Sequence, residues 1–162
     1  MLGKTYDSQV CSMARTLELV GERWSLLIVR DALFAGTTRF VEFQRRLGIA
    51  TNVLQNRLDG FVAAGIMEHR RATPAGSQYL LTEKGRDLAA ALVALTQWGD
   101  RWAAPDGPPI LFSHQACGSA VAAHLDCASC GTLADAGEVL ARPGPGMPPE
   151  HLERLAAARA AR

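Results

Sequence analysis

The sequence lacks several features that define common protein classes. No stretch approaches the roughly 18 consecutive apolar residues of a membrane-spanning helix, so we expect no membrane span. The first ten residues contain no continuous apolar segment, so we expect no secretory signal and a cytoplasmic location. The 17 basic side chains barely exceed the 16 acidic ones, which excludes a polybasic coat protein and an acidic tail protein but allows a local basic face.

Cysteine is also scarce, with 4 residues in a chain of 162. In a reducing cytoplasm, these thiols favour metal binding or thiol chemistry over a disulfide framework. Hydrophobic residues make up 48% of the chain and charged residues 20%, so the chain can bury a substantial core. The length suits one compact domain with an appendage.

Helical periodicity dominates the first part of the sequence. Apolar residues recur at helical spacing in four segments, which cover residues 11–19, 22–34, 39–47 and about 50–64. The third and fourth segments are joined by Leu47-Gly48-Ile49, a turn typical of a helix-turn-helix. Two strands are then predicted, at 66–71 and 78–82, around a turn-rich tip at 72–77. A helix-turn-helix followed by a β-hairpin predicts a winged arrangement.

A long helix is predicted from a Thr82 cap to about Trp102. Its apolar residues have the 3-4-3-4 spacing of a heptad seam, which favours a partner helix over packing on its own domain: Leu88, Ala91, Leu95, Trp98 and Trp102. The predicted fold class is mainly α with a small β-hairpin, a winged helix-turn-helix with a long C-terminal dimerisation helix. The expected domains are a DNA-binding and dimerisation domain at 1–103, a small zinc-ribbon-like extension at 104–140, and a Pro/Gly- and Ala/Arg-rich tail at 141–162, either a frayed helix or disordered.

The fourth helix carries residues suited to DNA contact. Its polar side chains lie opposite the apolar stripe, at the end that enters the major groove in helix-turn-helix proteins, and we expect them to contact bases: Thr51, Asn52, Gln55 and Asn56. Residues 39–71 carry six arginines against three acids, and the expected phosphate contacts are Arg39, Arg46, Arg57 and Arg70. The alternatives are an ordinary solvated face for the helix and an intradomain ion pair for Arg57.

Several motifs occur together within residues 8–103. They are a cysteine before the first helix, then LVGERWSLLIVRDAL, RFVEF, NVLQNRL and LTEKGR with a following WG. In this combination the chain resembles the HxlR family of bacterial winged helix-turn-helix transcriptional regulators. The resemblance implies a DNA-binding homodimer built from the first and last helices of each subunit. Family members commonly carry Ser or Thr at the position before the recognition helix. This sequence has Ala50 there and Thr51 next, so two starts of the helix, one residue apart, fit the sequence.

The resemblance also implies a role for Cys11, because some family members use a cysteine at this place as a redox or electrophile sensor. A sensing thiol must be exposed and must ionise readily. The alternative is a buried cysteine that acts as a small hydrophobic residue. Both interpretations stay open from the sequence.

The other three cysteines form a pattern with a histidine: His114-Gln-Ala-Cys117-Gly118 and Cys127-Ala-Ser-Cys130-Gly131. Zinc prefers four nitrogen or sulfur ligands, and a two-residue spacer lets both ligands of a pair reach one ion. The two motifs resemble the halves of a small zinc ribbon. We therefore expect one structural zinc ion bound by His114, Cys117, Cys127 and Cys130, with His124 as an alternative to His114; metal-free and disulfide forms stay open.

The favoured function is a cytoplasmic, dimeric, sequence-specific regulator, more often a repressor, that binds an inverted-repeat operator in double-stranded DNA and is not an enzyme. A small-molecule effector is a further expected partner. Two other classes stay open. A thiol-disulfide oxidoreductase would use Cys127 and Cys130 but needs a βαβ setting, and a zinc-ribbon adaptor would bind protein instead of DNA. Salt-dependent binding to a palindromic promoter fragment separates the first class from the others.

Overall fold

A computed structural model describes residues 5–6, 9–73 and 76–160 of the chain. The chain divides into two compact units. One unit covers Thr16–Ala123, and the other combines the described residues of 1–15 with those of 124–162. Among the described residues, none of the helices has the length and apolarity needed to cross a membrane.

Four short helices come first. They are α1 (Ser12–Val20), α2 (Ser25–Phe34), α3 (Phe40–Leu47) and α4 (Thr51–Ala63). All four predicted helices are present, but α2 starts three residues later than expected because the chain turns before it. Trp24 lies in the left-handed region with φ of 80°, a conformation that costs a non-glycine residue about 1–3 kcal/mol. The turn is closed by the Ser25 N–H, which donates to the Glu22 carbonyl at 3.0 Å.

The wing follows α4. Strands β1 (Met67–Thr73) and β2 (Gly76–Leu81) pair antiparallel, with Met67 opposite Leu81 and a register shift between Arg70 and Thr73. Pro74 and Ala75 of the predicted tip lie outside the described residues. The prediction of a mainly helical fold with a small two-stranded sheet is confirmed.

The core of the first unit lies where the helix-turn-helix meets the wing. Helices α2, α3 and α4 and both strands each contribute side chains that are at most a few per cent exposed: Ile28, Val29, Phe43, Leu54, Leu58, Phe61, Ile66, Met67 and Tyr79. Burial of an aliphatic or aromatic side chain of this size stabilises a fold by about 1.5–3 kcal/mol. The stripe of apolar residues on α4 is thus what fixes the helix's rotation and leaves its polar face outward.

The start of α3 is held by the residue before it and not by Thr38. Arg39 is the residue before the helix, and its N–H donates to the Glu42 carboxylate at 3.3 Å. Thr38 instead contacts the wing: its carbonyl accepts from the Tyr79 N–H at 2.7 Å and its hydroxyl accepts from the Gln78 amide at 3.4 Å. These bonds fix β2 against the helix-turn-helix.

The single long helix predicted from Thr82 to Trp102 is wrong. The structure has a short helix α5 (Glu83–Arg86), a turn, and then α6 (Ala89–Ala103). Thr82 does cap α5, because its hydroxyl accepts from the Gly85 N–H at 3.3 Å. The break arises because the start of α5 is bonded to the turn between α4 and β1.

We call this attachment the α5 clasp and define it by the side chains of Thr82 and Lys84 and by Gly85. The Thr82 hydroxyl donates to the carbonyls of Gly65 and Ile66, at 2.6 and 3.1 Å. The Lys84 ammonium donates to the Ala64 carbonyl at 2.8 Å. Gly85 is buried against the Ile66 carbonyl, which leaves no space for a side chain. The clasp attaches the start of α5 to the end of α4.

The first unit ends in a small hairpin after α6. The carbonyl of Phe112 accepts from the Val121 N–H at 2.9 Å, and the carbonyl of Ser119 accepts from the His114 N–H at 2.8 Å. The Gln97 side chain of α6 donates to the Val121 carbonyl at 3.0 Å and accepts from the Ala123 N–H at 2.9 Å. These bonds hold the hairpin on α6.

The second unit contains little regular structure. Its elements are the two-residue strands β3 (Asp126–Cys127) and β4 (Gly131–Thr132), a 3₁₀ turn at Ala136–Glu138, and α7 (Pro149–Ala160). The strands pair antiparallel around Cys130. The Pro- and Gly-rich residues before α7 form no helix or strand, and the Ala/Arg-rich end is helical as far as Ala160, the last described residue.

Candidate nucleic-acid interface

The turn between α3 and α4 depends on a glycine. Gly48 has φ of 62°, a left-handed conformation that L side chains rarely adopt, and its N–H donates to the Gln44 carbonyl at 2.9 Å. Ile49 follows with 4% of its surface exposed, and Ala50 is extended. The sequence Gly-Ile-Ala therefore ends α3, anchors the turn in the core and starts α4 at Thr51.

Thr51 is held by a residue that the sequence reasoning missed. Its hydroxyl accepts a hydrogen bond from the Gln44 side-chain amide at 2.6 Å, across the turn of the helix-turn-helix. Both groups are exposed enough to meet a ligand at the N-terminal end of α4. Gln44 could not be found from its helical pattern, because it lies on the polar side of α3 and gains its role only when the turn brings α4 beside it.

The other predicted base-contacting residues differ in their surroundings. Asn52 is exposed in the first turn of α4, and its side-chain oxygen accepts from the Val53 N–H at 2.9 Å. Gln55 donates to the Asp59 carboxylate at 2.8 Å, one turn along the helix. Asn56 is exposed too, at the edge of a crevice that Glu18 and Glu22 also line. Thr51 and Asn52 thus form the part of the face that is nearest the helix end.

Three of the four predicted phosphate-binding arginines make ion pairs within the chain. Arg46 donates from Nε to the Asp31 carboxylate at 3.3 Å, and Arg57 donates from Nη2 to Glu22 at 3.2 Å. Arg70 pairs with its strand neighbour Glu68 at 2.5 Å. Arg39 is exposed immediately before α3. The alternative of an intradomain ion pair holds for Arg57, whose side chain is 29% exposed, whereas the more exposed guanidinium groups of Arg46 and Arg70 keep further donors for a phosphate.

The wing presents a histidine that the sequence reasoning also missed. The ring of His69 stacks on the ring of Tyr79, with centroids 4.3 Å apart and planes 4° from parallel, and a ring nitrogen bonds the Ser77 hydroxyl. Because Tyr79 is buried, its ring fixes the His69 ring on the strand surface. Cross-strand pairing places these residues side by side, and a linear motif does not show that.

The cysteines lie in two tight turns and near the N terminus, and none of the four forms a disulfide in this structure. Gly118 and Gly131 follow Cys117 and Cys130 with φ of 73° and 81°, as the predicted knuckle turns require. Hydrogen bonds from Ser119, and then from His114, lower the pKa of Cys117 to about 7. The N–H groups of Ser129 and Cys130 hold the pKa of Cys127 below its ordinary value. Both turns thus favour a thiolate.

Zinc binding stays a prediction. Among the described residues, no group of three or more His, Cys, Asp or Glu side chains is gathered in a way that could hold a metal ion. His114 and Cys117 do approach each other, with Nδ1 and Sγ 3.2 Å apart. Cys127 and Cys130 lie on the β3–β4 hairpin and not in a βαβ unit, which removes the setting that a thioredoxin-type oxidoreductase needs.

Cys11 is exposed and precedes α1. Val10, Ser12 and residues 144–147 border a crevice beside it. The Arg15 guanidinium, one turn later, donates to the carbonyls of Tyr6 and Gln9 at 2.6 and 3.1 Å. The alternative of a buried hydrophobic cysteine is wrong for this residue.

A helix-turn-helix with an exposed polar first turn on its second helix, followed directly by a β-hairpin, defines the winged helix-turn-helix class of proteins. Comparison with known proteins agrees. The model of the HxlR-like helix-turn-helix family matches residues 19–107, more than half of the chain. An HTH-type transcriptional regulator of Mycobacterium tuberculosis (strain H37Rv) is 46% identical over 139 residues, which cover 84% of this chain and 87% of the relative. The chain belongs to the HxlR-like helix-turn-helix family.

Two solved structures are also similar. The crystal structure of PA1607, a candidate transcription factor, is 38% identical and superimposes with a TM-score of 0.75, covering 85% of this chain and 99% of PA1607. The redox regulator HypR in its reduced form is 26% identical with a TM-score of 0.51, covering 56% of this chain and 92% of HypR. The likeness to PA1607 thus reaches beyond the winged region, whereas the likeness to HypR covers little more than half of the chain.

Proposed function

We propose that the protein is a transcriptional regulator that binds an inverted-repeat operator in double-stranded DNA as a homodimer. The observation that carries the proposal is the exposed first turn of α4, where Thr51 and Asn52 present hydroxyl and amide groups beyond a turn that Gly48 and Ile49 fix. Such groups match the donors and acceptors of base edges in the major groove. The relatives that are HTH-type transcriptional regulators support the same function.

A second copy of the chain suits the outer face of α6. Leu95, Trp98 and Trp102 are 53%, 64% and 65% exposed, and they lie three and four residues apart on one side of the helix. Large apolar side chains that are exposed together mark an interaction surface. Leu88, at the start of the predicted seam, packs on the core instead, so the proposed dimer contact begins at Ala91.

Repression and redox control are part of the proposal. A dimer bound across a promoter occludes the polymerase, which makes a repressor the simplest mode of action. The exposed thiol of Cys11 and the structural likeness to the redox regulator HypR support a response to oxidants. No enzymatic function is proposed, since the relatives are transcription regulators, a class that in general is not enzymatic.

DNA binding tests the proposal. Fluorescence anisotropy would measure affinity for DNA from upstream of the protein's own gene and for random DNA, over a series of salt concentrations. Asn52→Ala should reduce the free energy of binding to the specific site by about 1–3 kcal/mol and change binding to random DNA little. Arg39→Ala should weaken binding to the specific site and to random DNA alike. It should also reduce by about 1 the slope of the logarithm of the binding constant against the logarithm of the salt concentration.

The matched control is Gln115→Ala, which removes an exposed side-chain amide from the hairpin after α6 and should leave both affinities unchanged. A wild-type protein that binds operator and random DNA equally at every salt concentration would contradict sequence-specific binding. Unchanged operator affinity in Asn52→Ala would contradict the placement of the base-contacting face.

A further inference from the structure

A cavity of about 380 Å³ lies beside the helix-turn-helix, wholly within the first unit. Its charged side is formed by Arg30 and Asp31 of α2 and Arg46 of α3. Its apolar side is formed by Phe34 at the end of α2 and by Ile110 and Phe112 from the segment after α6. The volume lies within the range of small-molecule sites, which begin at about 300 Å³.

The charged side carries one more positive than negative group. Asp31 is the only acid in the lining, and its side chain is 3% exposed. Its Oδ1 accepts from Nε and Nη2 of Arg30, at 2.9 and 2.8 Å, and its Oδ2 accepts from Nε of Arg46 at 3.3 Å. One carboxylate thus faces two guanidinium groups, and a net charge of +1 is left at the cavity.

Arg46 holds the unused donors. Its side chain is 48% exposed, and only its Nε has a hydrogen-bond partner within the part of the chain that the structure describes. The two terminal nitrogens of its guanidinium are the pair that binds a carboxylate in a fork geometry. A carboxylate in the cavity would satisfy them and bring the local charge to zero.

The apolar side is suited to an aromatic ring. Phe34 and Ile110 are 44% and 55% exposed, and the rings of Phe34 and Phe112 lie with centroids 4.8 Å apart at 55°. The segment that supplies Ile110 and Phe112 is held in place, because Phe112 is bonded to Val121 and Val121 to Gln97 of α6. A fixed aromatic wall beside an unsatisfied guanidinium defines an amphipathic site.

We propose that this cavity binds a small aromatic carboxylate, with its ring against Phe34 and Phe112 and its carboxylate on Arg46. The site is distinct from the DNA-facing turn of α4 and from the exposed face of α6. Arg46 lies in the last turn of α3, two residues before Gly48, so an occupied site changes the charge at the turn of the helix-turn-helix. A regulatory role for the ligand rests on the proposed DNA-binding function; the binding itself does not.

Isothermal titration calorimetry of the full-length protein without DNA tests the site, with 2-naphthoate as the probe. The neutral isostere 2-naphthamide should bind about tenfold more weakly or worse, since charge-assisted hydrogen bonds to a guanidinium are lost. Arg46→Met should weaken the binding of 2-naphthoate by the same factor and leave the binding of 2-naphthamide unchanged. Arg45→Met is the matched control, because Arg45 is the exposed neighbour on the same helix and does not line the cavity.

The outcomes separate this inference from the proposed function. Absence of naphthoate binding at millimolar concentration, equal binding of acid and amide, or unchanged binding in Arg46→Met would each overturn the site, even if the protein binds operator DNA normally. If Arg46→Met fails to fold, Phe112→Ala provides a second variant. It should weaken the binding of 2-naphthoate and of 2-naphthamide alike. Specific naphthoate binding by a protein that does not bind DNA would uphold the site and reject the regulatory function.

Discussion

Gly85→Ala should destabilise the protein strongly, although it adds one methyl group. A Cβ at position 85 would lie 2.3 Å from the Ile66 carbonyl oxygen and 2.8 Å from Cδ2 of Leu81, whereas ordinary contacts begin at 3.4 Å. The contact with oxygen is about 1 Å too short, and the oxygen belongs to backbone, so either α5 or the turn before β1 must move.

The magnitude follows from what the movement breaks. Overpacking of a well-filled site costs about 1–3 kcal/mol, and separation of α5 from the 64–66 turn weakens the Thr82 cap, which is worth about 1 kcal/mol. We expect a loss of about 3 kcal/mol in the free energy of unfolding. For a chain of this length the melting temperature should then fall by about 6–12 °C.

Gly60→Ala is the matched control. Gly60 lies in the interior of α4, and a Cβ there would meet nothing within 4 Å. The same glycine-to-alanine change should therefore raise stability by about 0.5–1 kcal/mol. Thermal unfolding and urea unfolding, both followed by circular dichroism, would measure the two variants. Equal stability of Gly85→Ala and Gly60→Ala would refute the description of the α5 clasp.

Three further predictions concern the dimer and the cysteines. Trp98→Glu should convert a dimer into a monomer in light scattering, because it places a charge on the exposed apolar face of α6; a wild-type monomer at micromolar concentration would contradict that interface. In metal-stripped protein, the alkylation rate of Cys117 measured by mass spectrometry should rise with pH to a plateau, with a midpoint near the thiol pKa of about 7. Ser119→Ala should move that midpoint upward, and an unchanged midpoint would remove Ser119 as the cause. Reduced protein purified without a histidine tag should contain about one equivalent of zinc if the predicted ligands share one ion, and less than about a tenth of an equivalent would reject the site.

The parts of the fold that depend on local patterns could be predicted from the sequence. The apolar stripe that includes Leu54 and Leu58 predicts both the presence of α4 and the direction of its polar face, and both residues are fully buried. Gly48 similarly predicts the end of α3, because a residue in the left-handed conformation does not continue a right-handed helix. These signals are local because helix period and turn conformation are set by neighbouring residues.

The parts that depend on contacts between distant residues could not be predicted. The pattern from Thr82 to Trp102 fits one helix, but the structure divides it into α5 and α6, and α5 is attached to residues 64–66, which are distant in sequence. Arg46 appears free in the sequence, but its pairing with Asp31 joins residues 15 positions apart. The exposed polar face of α4 was thus predicted in outline, while the partners that position its side chains required the tertiary structure.

The α5 clasp links the end of α4 to the segment that leads into α6, and its acceptors are all main-chain carbonyls. Because the groups at residues 64–66 are backbone oxygens, substitutions of the side chains there leave the bonds intact, whereas changes at Thr82 or Lys84 remove them. Because hydrogen bonds have a narrow range of lengths, a rotation of α5 displaces the end of α4 by a similar amount. In the proposed dimer, the separation of the two recognition helices would then follow the angle between the two α6 helices, and that angle would select the spacing of operator half-sites.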